Sequence, residues 1–411
     1  MTRTTKIHGL MLASAMTTLA LMQPAMAVEA QTFVDRIAAV YKLGGYDIAF
    51  GPATLDGDTV TVDGATVTVA GMEGEPWKID TELTFTGVAD ADDGGFTAEA
   101  MTVPDIDTEF SQDPVGRLTL TDISATDIYL PPEDKINTTA LLEAVGSLTT
   151  GPLKITRNGA DFLAIDAIEA VNEFTYDAED ALENIASTFS VSGIWADLTA
   201  MAAEDPQAGP VIEALGLQQI KGDINQSMTW GMKDGHLVVD QFLFDFADVG
   251  AIDFKADISG FTPAVLDKIS ALESASADAT SEEAQAQQMM VGMELLQALT
   301  LTGSSIRYDD AGLAPKLLDM FAAQSGTDRA QFVEGLKAMA PQLIGQAGVK
   351  ELTDLVVPAV NAFLDDPQSI EIAVKPASPT TLLVLSAAAA NPAGLISAVG
   401  LAVNANQPAA E

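Results

Sequence analysis

The sequence predicts an α+β fold: long antiparallel β-meander sheets packed by a mainly helical C-terminal part. Three observations predict it. Between Ile220 and Phe261, apolar residues recur at every second position in three successive runs, the period of half-buried strands. The runs are parted by Lys233-Asp234-Gly235 and Asp248-Val249-Gly250, sequences that tolerate the positive φ of tight turns. After that the composition changes at Thr262-Pro263, a capping residue followed by proline at the first helical position.

The first run sets Ile224, Gln226, Met228, Trp230 and Met232 on one parity and Asp223, Asn225, Ser227 and Thr229 on the other. The second, from His236, sets Phe242, Phe244 and Phe246 against Gln241, Asp245 and Ala247. The third places Ile252, Phe254, Ala256 and Ile258 inside and Asp253, Lys255 and Asp257 outside. The expected product is a meander with an aromatic inner face and an acidic outer face.

Upstream, Val28 to Lys42 has Phe33, Val34, Ile37, Val40 and Tyr41 at helical spacing, and Gly44-Gly45 stops the helix. Strands follow at Thr59–Val69, split around Asp63-Gly64, at Trp77–Phe85, at Phe96–Val103 and as a pair within Arg117–Leu130. A short helix is expected at Thr138–Leu148, strands across Leu153–Tyr176 and Phe189–Leu198, and a short helix at Pro210–Leu217. Downstream, helices are expected near Val265–Leu272, Ser281–Leu299, Pro315–Gln324, Asp328–Ala338 with Thr327 as cap, and Lys350–Leu364. Two added strands fall at Leu299–Tyr308 and Ile370–Lys375. The resulting organisation is a leader at 1–27, a β-rich module at 28–150, the central meander module at 151–261 and the helical part at 262–411.

The leader reads as a secretory signal peptide. Arg3 and Lys6 give a basic start, Leu10 to Met22 is mostly apolar, and Ala25-Met26-Ala27 is a small-x-small cleavage site. Its length and polarity disfavour a spanning helix, and an uncleaved anchor is the alternative. Export with cleavage after Ala27, and a periplasmic location, are the expectation; a chain with no cysteine suits that compartment without disulfides. Two of the 19 basic residues and none of the 59 acids lie in the leader, so cleavage leaves a formal net charge of −42. Such a charge repels nucleic acid and anionic lipid surfaces. The acids are dispersed over strand outer faces and turns, the pattern of a solvated acidic shell.

Chemistry-bearing motifs are scarce. Past the leader there is a single histidine, His236, beside a hairpin turn, and no G-x-S-x-G elbow presents a serine to it. Zinc would need several Cys or His ligands. No phosphate-binding loop or dinucleotide fingerprint is present, so no cofactor is expected. The turn from Asp90 to Gly94 departs from an EF-hand loop, with glycine at the fifth position and Met101 at the twelfth, and no metal site is assigned. No catalytic residue is assigned either.

The apolar features carry more. Met228, Trp230, Met232, Phe242, Phe244 and Phe246 are candidates for the wall of an apolar pocket, since methionine and aromatic rings make adaptable surfaces. The competing reading, and the usual fate of such stripes, is core packed against the helices after Thr262. Residues 377–410 contain no charged side chain. Their two apolar pieces, Leu382–Ala390 and Pro392–Val403, are expected to form a buried helical hairpin, and Leu382 joins the candidate pocket residues. The break at Asn391-Pro392 and the lack of cationic flanks disfavour a spanning helix there.

One strand phrase recurs at irregular spacing: Thr59 to Val67, Leu118 to Ile128, Leu237 to Phe242 and Leu299 to Ile306 each run strand, polar step, strand. In an exported chain this texture resembles the β-rich periplasmic proteins of proteobacteria grouped loosely with the AsmA-like envelope proteins. The resemblance implies extended curved sheets with an apolar trough and a role in outer-membrane lipid homeostasis, and it transfers no individual residue. The expectation is a non-enzymatic envelope protein that binds an apolar ligand, such as a lipid, or an envelope protein partner. A scaffold without ligand and a carboxylate-dependent hydrolase are the alternatives.

Overall fold

The computed structural model describes residues 29–71, 76–112, 114–204, 207–276, 282–346 and 348–408. The proposed signal peptide lies outside them. The fold is α+β, and its strands pair antiparallel in open sheets, as the alternating pattern and tight turns predict. No helix among the described residues is long and apolar enough to cross a membrane. The chain divides into two compact units whose segments interleave in sequence. One contains the described residues up to Pro104 with Asp122–Leu148 and Asn172–Asn184. The other contains Asp105–Thr121, Thr149–Val171 and the chain from Ile185 onward.

The first unit is a helix laid on a sheet. Helix Ala30–Lys42 turns Phe33, Val34, Ile37 and Val40 inward, the i, i+3/i+4, i+7 stripe of its sequence. Strand Thr59–Val69 is central, pairing with Tyr46–Phe50, Ala53–Asp56 and Trp77–Thr86. Trp77–Thr86 pairs with Phe96–Val103, which pairs with Ile123–Leu130. Phe33 meets Phe85 and Phe96 edge-on at 5.2 and 5.9 Å between ring centres, over a floor of Val60, Val62, Leu83, Ala98 and Leu130. Arg36 stacks on the rim of this core, 5.5 Å from the Phe96 ring, and donates to the Pro131 carbonyl. The expected break at Asp63-Gly64 is a bulge within one continuous strand. Gly64 adopts φ 76°, and a Cβ there would lie 2.5 Å from the Ile79 carbonyl oxygen, so only glycine lets the strand kink without ending.

The second unit contains the meander. Gln219–Gly231 pairs with Leu237–Phe246, which pairs with Gly250–Ser259. The sheet continues through Thr300–Asp310, Ser369–Val374 and Leu401–Ala405. Helices Pro263–Ser276 and Glu282–Ala298 fill the first crossing, and Leu313–Gln324, Arg329–Gly345 and Lys350–Asp365 the second. Thr262 caps as expected, its hydroxyl accepting from the Val265 amide at 3.4 Å. The cap at the Arg329 helix is Asp328, accepting from the Gln331 amide at 2.9 Å, and Thr327 is not the capping residue.

Two local expectations are corrected, and one strand is added to those expected. The helix at Thr138 ends at Glu143, because Val145–Thr150 is a strand. Ile106–Gln112 is a strand that pairs with Val115–Leu120, although its alternation is weak. The uncharged tail is not a buried hairpin. Its helices Leu382–Ala388 and Pro392–Val399 contain no buried residue, and Gly400, at φ 59°, ends the second so that Leu401–Ala405 can pair as a strand.

Candidate functional site

Residues opposite one another in an antiparallel ladder project from the same face. In the second unit, Ile224 faces Phe244 and Gln226 faces Phe242; Phe244 faces Ile252 on the next strand. Ile252 then faces Tyr308 and Phe254 faces Ile306. Ile306 faces Ile372, and Ile372 faces Val403. One apolar parity therefore runs without interruption across six strands, about 24 Å at the usual strand spacing.

This parity is open over its middle, and closed toward one end, where Ala256 and Trp230 are buried. Ile252, Phe254, Ile306 and Ile372 are 44%, 38%, 49% and 47% exposed. On Ser369–Val374 the polar parity is closed, with Glu371 3% and Ser369 4% exposed; on the two strands before it the polar side chains are mixed, Arg307 and Asp253 mostly covered and Lys255 and Asp309 open. The sequence placed Ile252, Phe254 and Ala256 inside and Asp253, Lys255 and Asp257 outside; the structure reverses this at Ile252, Phe254 and Asp253 and keeps it at Ala256 and Lys255.

Around Glu371 the polar face is closed by its own side chains and by the residues up to Gln407. Arg307 lies between Asp253 and Glu371 in the ladder. Its Nε and Nη2 donate to Asp309 at 2.8 and 2.7 Å, its Nη1 donates to the Gln407 carbonyl at 3.0 Å, and Glu371 Oε2 lies 3.7 Å from Nη1. The Asp309 hydrogen bonds hold the guanidinium pKa above its usual range, against the opposing effect of burial. Asn406 accepts from the Gln368 and Ser369 amides and donates to the Ala362 and Asp366 carbonyls, which ties the C-terminal residues down beside these strands.

The predicted pocket residues separate into three groups. Phe242, Phe244 and Phe246 share the open parity and are half-buried, with the first two rings 4.8 Å apart. Met228 shares that parity, opposite Val239. Trp230 and Met232 are 5% and 8% exposed and belong to the packed interior; Trp230 Nε1 donates to the Phe261 carbonyl at 2.7 Å and its ring lies against Phe261. Leu382 lines a different feature, a groove of ≈ 470 Å³ built on helix Glu282–Ala298 with Met289, Gly292, Met293, Leu296 and Leu299. Sequence reasoning did not single out Ile306 and Ile372. Both sit on alternating strands, which marks their parity, but alternation does not say which face is covered.

A smaller groove, ≈ 290 Å³, lies between Phe110, Pro114, Ile155 and Phe162. Neither groove is lined by a carboxylate. His236 Nε2 lies 2.9 Å from Asp257 Oδ1 on the neighbouring strand. Asp93, in the acidic turn, accepts from the Gly95 amide at 3.0 Å and the Tyr129 hydroxyl at 2.7 Å. No cluster of three or more His, Cys, Asp or Glu side chains suited to a metal occurs among the described residues.

No curated protein matches the chain. A family model described only as "Uncharacterized protein" matches residues 243–406, a span that holds Ile252, Phe254, Ile306, Ile372 and the Met289–Leu382 groove together.

Proposed function

We propose that the protein is an exported, non-enzymatic envelope protein that binds an apolar ligand along the open face of its second unit. The observation that carries this reading is the inverted burial of the sheet. The Ile252, Phe254, Ile306 and Ile372 parity faces outward, while Glu371 and Ser369 are buried behind it. Exposing contiguous apolar surface is unfavourable by about 25 cal/mol per Å², so such a face is retained where something covers it in use. Half-buried phenylalanines beside it supply an adaptable rim. The leader-like N-terminus supports the periplasm as the place of action. The resemblance to AsmA-like envelope proteins supports a lipid as the ligand.

The test is native mass spectrometry of the chain from Val28, purified from a periplasm without detergent, beside an Ile306→Glu variant. The expected result is a discrete adduct of lipid mass that is lost on denaturation and absent from the variant. A bare mass for both chains, with no saturable uptake of a fatty-acid probe, would overturn the ligand reading and favour a scaffold.

A further inference from the structure

We propose that the groove on helix Glu282–Ala298 is a docking site for a basic amphipathic helix of a partner protein. This goes beyond the ligand face and does not depend on it. The groove is built from one helical stripe: Met289, Met293, Leu296 and Leu299 follow one another at intervals of three and four residues, so they form a continuous seam about 15 Å long. Leu382, whose amide donates to the Leu299 carbonyl at 2.9 Å, forms the facing wall. Gly292 opens a notch in the seam, with nothing within 4 Å of where a Cβ would stand. Ridges, a notch and a facing wall are what a second helix needs in order to pack.

Exposure separates a helix from a small ligand. Of the lining residues, Met289 is 73% exposed and Met293 43%. A bound small molecule is normally enclosed over most of its surface. These side chains stand proud of the groove and become buried only when a macromolecule lies over them. Methionine suits that role, because its unbranched thioether adapts to a partner's surface.

Charge chooses the partner. The groove helix carries Glu282, Glu283 and Glu294 and no base, and the segment that supplies Leu382 has no charge from 377 to 410. Lys268, on the adjoining helix, is paired with Glu294 at 2.6 Å. A chain of net charge −40 repels a second copy of itself and an anionic bilayer, whereas lysines flanking an apolar helical stripe are attracted.

The experiment titrates the full chain with two fluorescent peptides of about 18 residues, long enough to form a helix on the surface. Both carry the same leucine stripe, one with lysine on its polar face and the other with glutamate. The lysine peptide is expected to bind, and Met289→Glu and Met293→Glu to weaken it by about tenfold or more. Each variant adds a negative charge, so a loss cannot be electrostatic, and the exposure of Met289 makes a folding defect at that site an inadequate cause. Ile306→Glu, on the sheet face, is expected to leave peptide binding unchanged. Equal binding by wild type and both methionine variants would overturn the proposal. So would equal binding of the glutamate peptide, self-association of the chain that the methionine variants abolish, or binding to phosphatidylcholine vesicles without binding to the peptide.

Discussion

Asp93 and Asp310 show how single carboxylates tie neighbouring segments of this acidic chain together by accepting several hydrogen bonds each. Asp310 accepts from the Tyr308 hydroxyl at 2.8 Å and from the Gly312 and Ala314 amides at 2.8 and 2.7 Å, so it joins a strand end to the start of helix Leu313–Gln324. Burial, and then the Asp310 contact, push the Tyr308 phenol well above its usual range, so it remains a donor at any ordinary pH. Asp93 plays the same part in the first unit. Burial pushes its carboxyl up, but the Tyr129 hydroxyl, the Gly95 amide and Lys135 together hold it below its ordinary value of 3.8. A carboxyl depressed in the folded state contributes stability above its unfolded pKa and loses it as pH falls through the folded one. Asp93→Asn should therefore lower stability at pH 7, and its deficit should begin to shrink as the pH falls below the ordinary value of 3.8 and go on shrinking toward the lower folded-state pKa, where the wild-type carboxyl becomes protonated too. Urea titrations of both chains at pH 7 and pH 3 measure this. A deficit that stays constant or grows on acidification would show that the amide acts through packing and not through charge.

At the scale of the element, the strands of the two units use one sequence pattern to different ends. Val60, Val62 and Phe85 alternate with polar residues just as Ile252, Ile306 and Ile372 do. The first set is sealed beneath helix Ala30–Lys42 at 0–2% exposure, and the second is open. Truncation should separate them. Phe85→Ala should cost about 3–5 kcal/mol, the range for an aromatic removed from a packed core. Ile306→Ser should cost less than about 1 kcal/mol, because roughly half of the side chain is already in water. Equal losses of several kcal/mol in chemical denaturation would place Ile306 in a covered core and remove the basis of the ligand-face reading. The contrast also marks the limit of the sequence. Strand parity, the Asp234-Gly235 turn and the Thr262 cap were legible because each depends on chemistry within a few residues. The open face was not, since covering a strand depends on which distant segment packs there. Arg307 and Glu371 lie 64 positions apart in the chain, and only the ladder brings them together to close the polar side. Helical spacing in the sequence puts Met289, Met293 and Leu296 on one side of a helix, but spacing alone does not say that this side is left open.

At the scale of the whole molecule, charge governs how stability responds to the solution. The chain has 59 acidic and 19 basic residues. Most acids therefore have no base to pair with, and the pairs that do form are largely at the surface, as for Arg117 with Asp107 at 2.6 Å and Lys154 with Asp161 at 2.8 Å. Exposed pairs of this kind contribute about 0–1 kcal/mol each. Salt weakens these attractions and also the repulsion among the unpaired acids, and with an excess of roughly three acids per base the repulsive sum is the larger. Raising sodium chloride from about 0.01 M to 1 M shortens the screening length from about 30 Å to about 3 Å, which removes nearly all the repulsion between dispersed surface charges. The melting temperature should therefore rise with salt, steeply at first and then levelling once the screening length falls below the spacing of neighbouring carboxylates. Magnesium chloride at matched ionic strength should give the same curve if screening is the cause. A melting temperature that falls with sodium chloride would mean that the ion pairs outweigh the repulsion. A rise produced by millimolar magnesium but not by matched sodium would replace screening with divalent binding by specific carboxylates.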